Sequence, residues 1–289
     1  MKIVVCVKQV CQVCGRSGLA PETRFLTPQD LVYRVNPYDE AAVSVAARIK
    51  GASDKTEVHL LTLGPLTAER ELRRCAAMVE ANDLFQIVSD ADLDPRSKSD
   101  LLAQAIRNIG PDLVLCGKES IDTRHGQVGA FLAHSLGLPF VASIKELDIS
   151  AEGKARVERS AGRGLREILE STLPAVFSVD MGAQALLLPS LEQKKRADRL
   201  VVRTLAFEEG AKPRTKRVGL HPPRPRPKKI AAPDSRLPAF ERIAQLLSAG
   251  RVEKKGVVLN GTVESQVDGL LAFLKEHSLF NARNVPGGE

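Results

Sequence analysis

Residues 112–137 read DLVLCGKESIDTRHGQVGAFLAHSLG. DLVLCG (112–117) is a short apolar run ending in glycine, the pattern of a strand covered on both faces. GQVGAFLAHSLG (126–137) has helical spacing and closes on glycine, a common helix stop. Between them, residues 118–125 crowd a lysine, two carboxylates, an arginine and a histidine into one loop. The unit is therefore strand, polar loop, helix.

The same unit recurs toward the N-terminus. KIVVCV (2–7), EVHLLTL (57–63) and LFQIVS (84–89) are apolar runs of strand length. DEAAVSVAARI (39–49) has apolar residues at helical spacing, with Asp39 and Glu40 where the helix dipole favours them. TAERELRRCAAMVEA (67–81) is a helix with Thr67 as its predicted cap, and SKSDLLAQAIRNIG (97–110) is a helix stopped by Gly110. Residues 8–38 are expected to be a long loop. The alternation predicts an α/β fold, doubly wound, with a mainly parallel sheet and helices on both faces. Such sheets bind ligands at the carboxyl ends of strands, near the reversal of strand order. The loop 118–125 lies at one such end.

After residue 138 the periodicity drops to two. FVASIKELDIS, KARVERSAG and LREILEST predict an antiparallel addition at the sheet edge, and LPAVFSVDMG (173–182) a further buried strand. Residues 211–238 are rich in proline and cations and predict an extended arm. Beyond it, AFERIAQLLSAG (239–250) reads as helix and KGVVLNG (255–261) as strand. TVESQVDGLLAFLKE (262–276) is an amphipathic helix capped by Thr262. The expected organisation is an α/β domain over 1–210, a basic linker over 211–238 and a C-terminal helical segment over 239–289.

Composition narrows the function. The net charge of +7 has one source, because residues 211–229 hold eight Lys or Arg and no acid, leaving the rest nearly neutral. There is no Trp, only two Tyr, and no nucleic-acid-binding module, so nucleic acid is not the expected partner. No apolar stretch is long enough to span a bilayer, and the N-terminus lacks a signal-peptide pattern, so a cytoplasmic protein is expected. Five cysteines give no disulfide framework. Cys6, Cys75 and Cys116 sit in apolar contexts and read as core. Cys11 and Cys14 form a CxxC that enters a loop. Two loop thiols, a redox role beside a flavin, and a metal site all stay open, although no second ligand pair is spaced for zinc.

Common catalytic signatures are missing. There is no GxGxxG, no GxxxxGK[ST] and no GxSxG. His59 and His134 read as structural. In the opening loop, Gly117 permits a tight exit from the strand, and Asp122 or Thr123 can close the turn. Gly126, Gln127 and Val128 then start a helix whose free N–H groups would bind an anion through the backbone. A solvated connecting loop is the alternative.

Several stretches resemble the beta subunit of electron transfer flavoprotein. They are KIVVCVKQV (2–10), NPYDEAAVSVAARIK (36–50), LGPLTAERELRRCAAM (63–78), PDLVLCGKESIDTRHGQVG (111–129) and LPAVFSVDMGAQALLLPSL (173–191). The resemblance implies a fold of the adenine-nucleotide-binding type and a subunit that does no bond chemistry itself. It would form a heterodimer with an electron transfer flavoprotein alpha subunit and help enclose that subunit's FAD. It would hold AMP, or a second FAD in electron-bifurcating relatives. Electrons would come from flavin dehydrogenases and pass to a quinone reductase or similar acceptor. By position, the nucleotide would touch Cys6, Asn36, Pro37, Tyr38, Asp39 and Leu63. It would also touch the loop residues Gly117, Lys118, Glu119, Ser120, Ile121, Asp122, Thr123, Arg124, His125, Gly126, Gln127 and Val128. The phosphate would sit over the last three.

The chain departs from the family pattern in three places. QALL (184–187) replaces the usual Asn-Glu-Pro-Arg, and KKRADR (194–199) replaces a run of lysines, both in the segment by which the family recognises dehydrogenases. Cys11-Gln12-Val13 replaces Pro-Asp-Thr in a loop that approaches the flavin in the family. The basic arm and the last helix run past the matching region. Two competing readings are a stand-alone ATP- or AMP-binding sensor of the same superfamily and an ATP-pyrophosphatase. The second lacks its Ser-Gly-Gly loop.

Overall fold

The computed structural model describes residues 1–13, 31–150, 153–206, 213–215, 218–219, 235–247 and 258–277. The chain divides into two compact units, Met1–Pro222 and Pro223–Glu289. In the first, the elements run β1 (Lys2–Val7), β2 (Gln9–Val13), β3 (Leu31–Val35), α1 (Pro37–Gly51), β4 (Glu57–Gly64), α2 (Glu69–Val79), β5 (Asp83–Val88) and α3 (Pro95–Ile109). They continue with β6 (Leu113–Gly117), α4 (Val128–Leu136), β7 (Phe140–Ile149), β8 (Lys154–Gly162), β9 (Leu165–Thr172), β10 (Ala175–Val179), α5 (Leu191–Arg199) and β11 (Val202–Leu205). The second unit holds α6 (Ala239–Leu247) and α7 (Val263–Glu276).

A nine-stranded sheet has the order β11-β5-β4-β1-β6-β10-β7-β8-β9. Pairings from β11 through β7 are parallel, and only β8 and β9 are antiparallel. The predicted doubly wound α/β fold is present. Its cause is visible in β1, where alternate residues serve opposite faces. Ile3, Val5 and Val7 join a core with Ala42, Val45, Leu72 and Cys75 of α1 and α2. Val4 and Cys6 join a separate core with Leu101, Leu102, Ile106 and Leu132 of α3 and α4. Each fully buried Leu, Ile or Val of this kind contributes about 1.5–3 kcal/mol.

Local chemistry sets the helix ends. Pro95 opens α3, Asp94 caps it by accepting from Ser97 N at 3.0 Å, and Gly110 closes it in the left-handed conformation. The cap expected at Thr67 is not formed. Leu66–Ala68 is a short 3₁₀ turn, α2 starts at Glu69, and the Thr67 hydroxyl lies 3.2 Å from Gln9 Oε1. The chain leaving Gly64-Pro65 needs that extra turn before Leu72, Cys75, Ala76 and Val79 can face the core. α4 begins at Val128, not Gly126, because Gly126 has φ of +62°, which no α-helix accepts.

Three elements differ from the sequence-based expectation. Part of the expected loop over 8–38 is the antiparallel hairpin β2–β3, with Cys11 opposite Tyr33. Val10 and Val35 are buried, while Val32 and Tyr33 are exposed. β7 is no simple edge strand. Its first half pairs in parallel with β10 and its second half antiparallel with β8, with a register shift in each pairing. α5 and β11 were not foreseen, since LEQKKRADR buries only Ala197. A capping box between Ser190 and Gln193 makes that helix, and β11 adds to the far edge beside β5.

In the second unit, α7 carries the predicted Thr262 cap, which accepts from Ser265 N at 3.4 Å. Phe240, Ile243 and Leu246 of α6 are exposed, as are Val263, Val267, Leu270 and Phe273 of α7. Of the strand expected over 255–261, residues 255–257 and the basic stretch around them lie outside the described residues, and 258–260 form no strand. Most of the basic arm and Cys14 also lie outside the described residues.

Candidate functional site

β1 is flanked by β4 on one side and β6 on the other, so the strand order reverses at β1. The crossovers leave on opposite faces and open a crevice at the carboxyl ends of β1 and β6. A cleft of about 790 Å³, including its open mouth, lies there. Its walls come from the ends of β1, β4 and β6, the starts of α1, α3 and α4, and the β6–α4 loop.

Asp39 holds the crevice open. Its side chain is buried at 5% exposure, with Oδ2 accepting from Lys8 N at 2.8 Å and Oδ1 from Gly117 N at 3.0 Å. One carboxylate thus ties together the two strand ends that diverge. Burial pushes its carboxyl up to about 7, against the lowering effect of the Lys8, Asn36 and Gly117 hydrogen bonds. Gly117 has to be glycine here, since a Cβ would stand 2.2 Å from Asp39 Oδ1 and 2.7 Å from Tyr38 Cβ.

The loop is held from beneath by Asn36. Its Nδ2 donates to Glu119 O at 2.8 Å, and its Oδ1 accepts from Ile121 N at 3.3 Å. Tyr38 donates its hydroxyl to Glu119 Oε1 at 3.1 Å. Lys8 reaches across to Ser120 Oγ at 3.1 Å and Asp122 Oδ1 at 2.7 Å. Burial opposes ionisation of Asp122, yet the Lys8 and Ser120 hydrogen bonds hold its carboxyl below the usual range. Thr123 N donates to Asp122 Oδ1 at 2.7 Å, a local hydrogen bond of the kind expected to close the loop. Arg124 follows in the left-handed region with φ of +51°. Gln127, at the N-cap of α4, makes no side-chain cap. The first amides of α4 therefore keep donor capacity toward the cleft.

Of the residues singled out from sequence, Cys6, Asn36, Asp39, Leu63, Gly117, Lys118, Glu119, Ser120, Thr123, His125, Gly126, Gln127 and Val128 line the cleft. Pro37, Tyr38, Ile121, Asp122 and Arg124 do not. Pro37 starts α1, and the other four brace or turn the loop. The cleft also takes Val7, Lys8, Leu61, Pro95, Lys98, Leu102 and Cys116, which sequence reasoning did not single out. Pro95 and Lys98 carried a signal, since they open the helix that returns to the switch point. The thiols of Cys6 and Cys116 are no nucleophiles. Burial, with Asp39 nearby, pushes Cys6 up to about 12, and burial, with Cys6 and Asp39, raises Cys116 well above its ordinary value. Cys75 is likewise buried. Among the described residues no cluster of His, Cys, Asp or Glu is arranged to hold a metal ion.

The model of the electron transfer flavoprotein domain matches residues 25–208. The chain belongs to the electron transfer flavoprotein family. Protein FixA of Sinorhizobium fredii is 34% identical over 228 residues, covering 75% of this chain and 78% of that protein. Protein FixA of Rhizobium leguminosarum bv. phaseoli is 30% identical over 282 residues, covering 94% and 99%. Electron transfer flavoprotein subunit beta of Dictyostelium discoideum is 29% identical over 181 residues, covering 63% and 71%. This electron transfer flavoprotein is thus of the beta-subunit type and functions in electron transport. Among its described residues no helix is long and apolar enough to cross a membrane.

Proposed function

We propose that the chain is the beta subunit of a heterodimeric electron transfer flavoprotein and holds an adenine nucleotide in the cleft at the switch point. One observation carries this reading. Leu61, Leu63, Leu102 and Cys6 give the cleft apolar lining for a ring, while Lys98 and the uncapped start of α4 give it donors for an anion. That pairing fits AMP, and equally the AMP half of FAD.

The partner is an electron transfer flavoprotein alpha subunit, with which this chain encloses an FAD. The isoalloxazine of that FAD supplies the redox chemistry when bound. This chain's residues position and enclose it and transfer no group themselves. Electrons arrive from flavin dehydrogenases and leave to a quinone reductase or similar acceptor. Leu186 and Leu187 are exposed in the segment that replaces the family's recognition sequence, as are Leu188 and Leu191 just after it, and they offer an apolar surface for a donor. A nucleotide buried in the cleft stabilises the assembled subunit through linkage.

Two further parts take roles under this reading. The β2–β3 hairpin brings Cys11 toward the partner's flavin. Serine at both Cys11 and Cys14 is expected to shift the flavin potential or spectrum of the heterodimer, and an unchanged spectrum and potential would eliminate that role. The exposed apolar faces of α6 and α7 cover themselves on the alpha subunit.

Co-production with the alpha subunit, followed by extraction of bound nucleotides, tests the proposal. One FAD with one AMP marks a simple carrier, and two FAD mark a bifurcating type. A colourless chain that binds ATP and forms no complex with the alpha subunit would favour a stand-alone sensor instead.

A further inference from the structure

Lys98 lies in the first turn of α3, outside all five stretches that carry the family resemblance. Its half-buried side chain lines the cleft beside Pro95 and Leu102 of the same helix. The other lysines of the cleft are engaged. Lys8 holds Asp122 and Ser120, and Lys118 stands 3.4 Å from Asp180. Among the described residues, Lys98 Nζ makes no hydrogen bond and no ion pair. Burial lowers its affinity for a proton and the charge of Lys8 lowers it further, while Asp92, Asp122 and Asp94 act the other way.

A half-buried ammonium with no hydrogen bond and no ion pair costs free energy. Asp92, Asp122 and Asp94 act on it without forming an ion pair with it. An anion brought by a ligand into the space between Lys98 and the start of α4 would remove that cost. Leu61, Leu63, Leu102 and Cys6 line the same cleft, so the ligand needs an apolar ring as well as a charge. We infer that Lys98 is the phosphate-binding lysine of the cleft and makes the site select phosphorylated nucleosides over free nucleosides. Lys8, already held by Ser120 and Asp122, shapes the loop. This deepens the nucleotide reading above and rests on it.

The test is calorimetric titration of the full-length chain, stripped of nucleotide, with AMP and with adenosine. Wild type should bind AMP at least about tenfold tighter than adenosine, the range of one charged hydrogen bond. Lys98→Met should weaken AMP by about tenfold or more and leave adenosine unchanged. Lys98→Arg should keep most of the AMP preference. Equal melting temperatures without ligand confirm that Lys98→Met is folded, and Lys98→Gln replaces it if it is not. Undiminished AMP affinity in Lys98→Met, with wild type still preferring AMP, would overturn the role of Lys98 and leave the nucleotide site standing. A wild-type chain that binds neither ligand would overturn the nucleotide reading, and Lys98 with it.

Discussion

Gly117 and Asp39 show how little side chain the cleft tolerates at its base. A methyl group at position 117 would collide with the carboxylate that joins β1 to β6. Gly117→Ala should therefore cost about 1–3 kcal/mol of stability, read as a lower unfolding temperature. Asp39 adds a pH dependence. Its folded-state carboxyl, pushed up to about 7 by burial, binds its proton more tightly than the unfolded chain does at 3.8. The contribution of this group to stability is full below 3.8 and is lost as pH rises through about 7. Asp39→Asn removes that titration, although its amide faces one backbone N–H and lowers stability overall. The fall in melting temperature between pH 4 and 7 should be smaller in Asp39→Asn than in wild type, and parallel profiles would contradict this. Neither role was legible in the sequence at this depth. Gly117 was readable as a tight exit and Asp39 as a favourable charge at a helix start. That the two meet could only be seen once α1 and β6 were placed side by side.

Among the elements, those with a strong apolar period were legible and those built on polar contacts were not. β1, β4, β5 and β6 bury most of their residues, and α1 to α4 turn apolar stripes to the sheet. α5 has one buried residue and a capping box, so its pattern is faint, although Ser190 and Gln193 at the right spacing were a usable sign. The β2–β3 hairpin escaped because its two short strands are separated by a long connection. α3 owes its start to Asp94, whose carboxyl accepts from the amides of Ser97 at 3.0 Å and Arg214 at 2.6 Å. Those backbone bonds, Ser97 first and then Arg214, hold it down to about 2. Its folded-state affinity for a proton is depressed, so its contribution is present above 3.8 and is lost as pH falls toward 2. Asp94→Ala should cost about 0.5–2 kcal/mol near neutral pH, measured by denaturant unfolding, and less in strong acid.

For the whole molecule, the α/β unit Met1–Pro222 carries the cleft, and the chain after it carries helices whose apolar faces stay exposed. Truncation at residue 210 keeps β11 and the complete sheet. It removes the Arg214 amide that Asp94 accepts from, leaves the strand ends that form the cleft, and should weaken copurification with the alpha subunit. Unchanged copurification would remove the C-terminal helices from the interface. The position of the cleft at the reversal of strand order was legible from the strand–helix alternation alone. Which residues line it was legible only where the family resemblance reached, and Lys98 fell outside it. The most direct measurement is the nucleotide content of the purified heterodimer. An adenine nucleotide in the cleft, as AMP or as a second FAD beside the flavin shared with the alpha subunit, is the predicted result. A heterodimer with that shared FAD and no second adenine nucleotide would contradict the account.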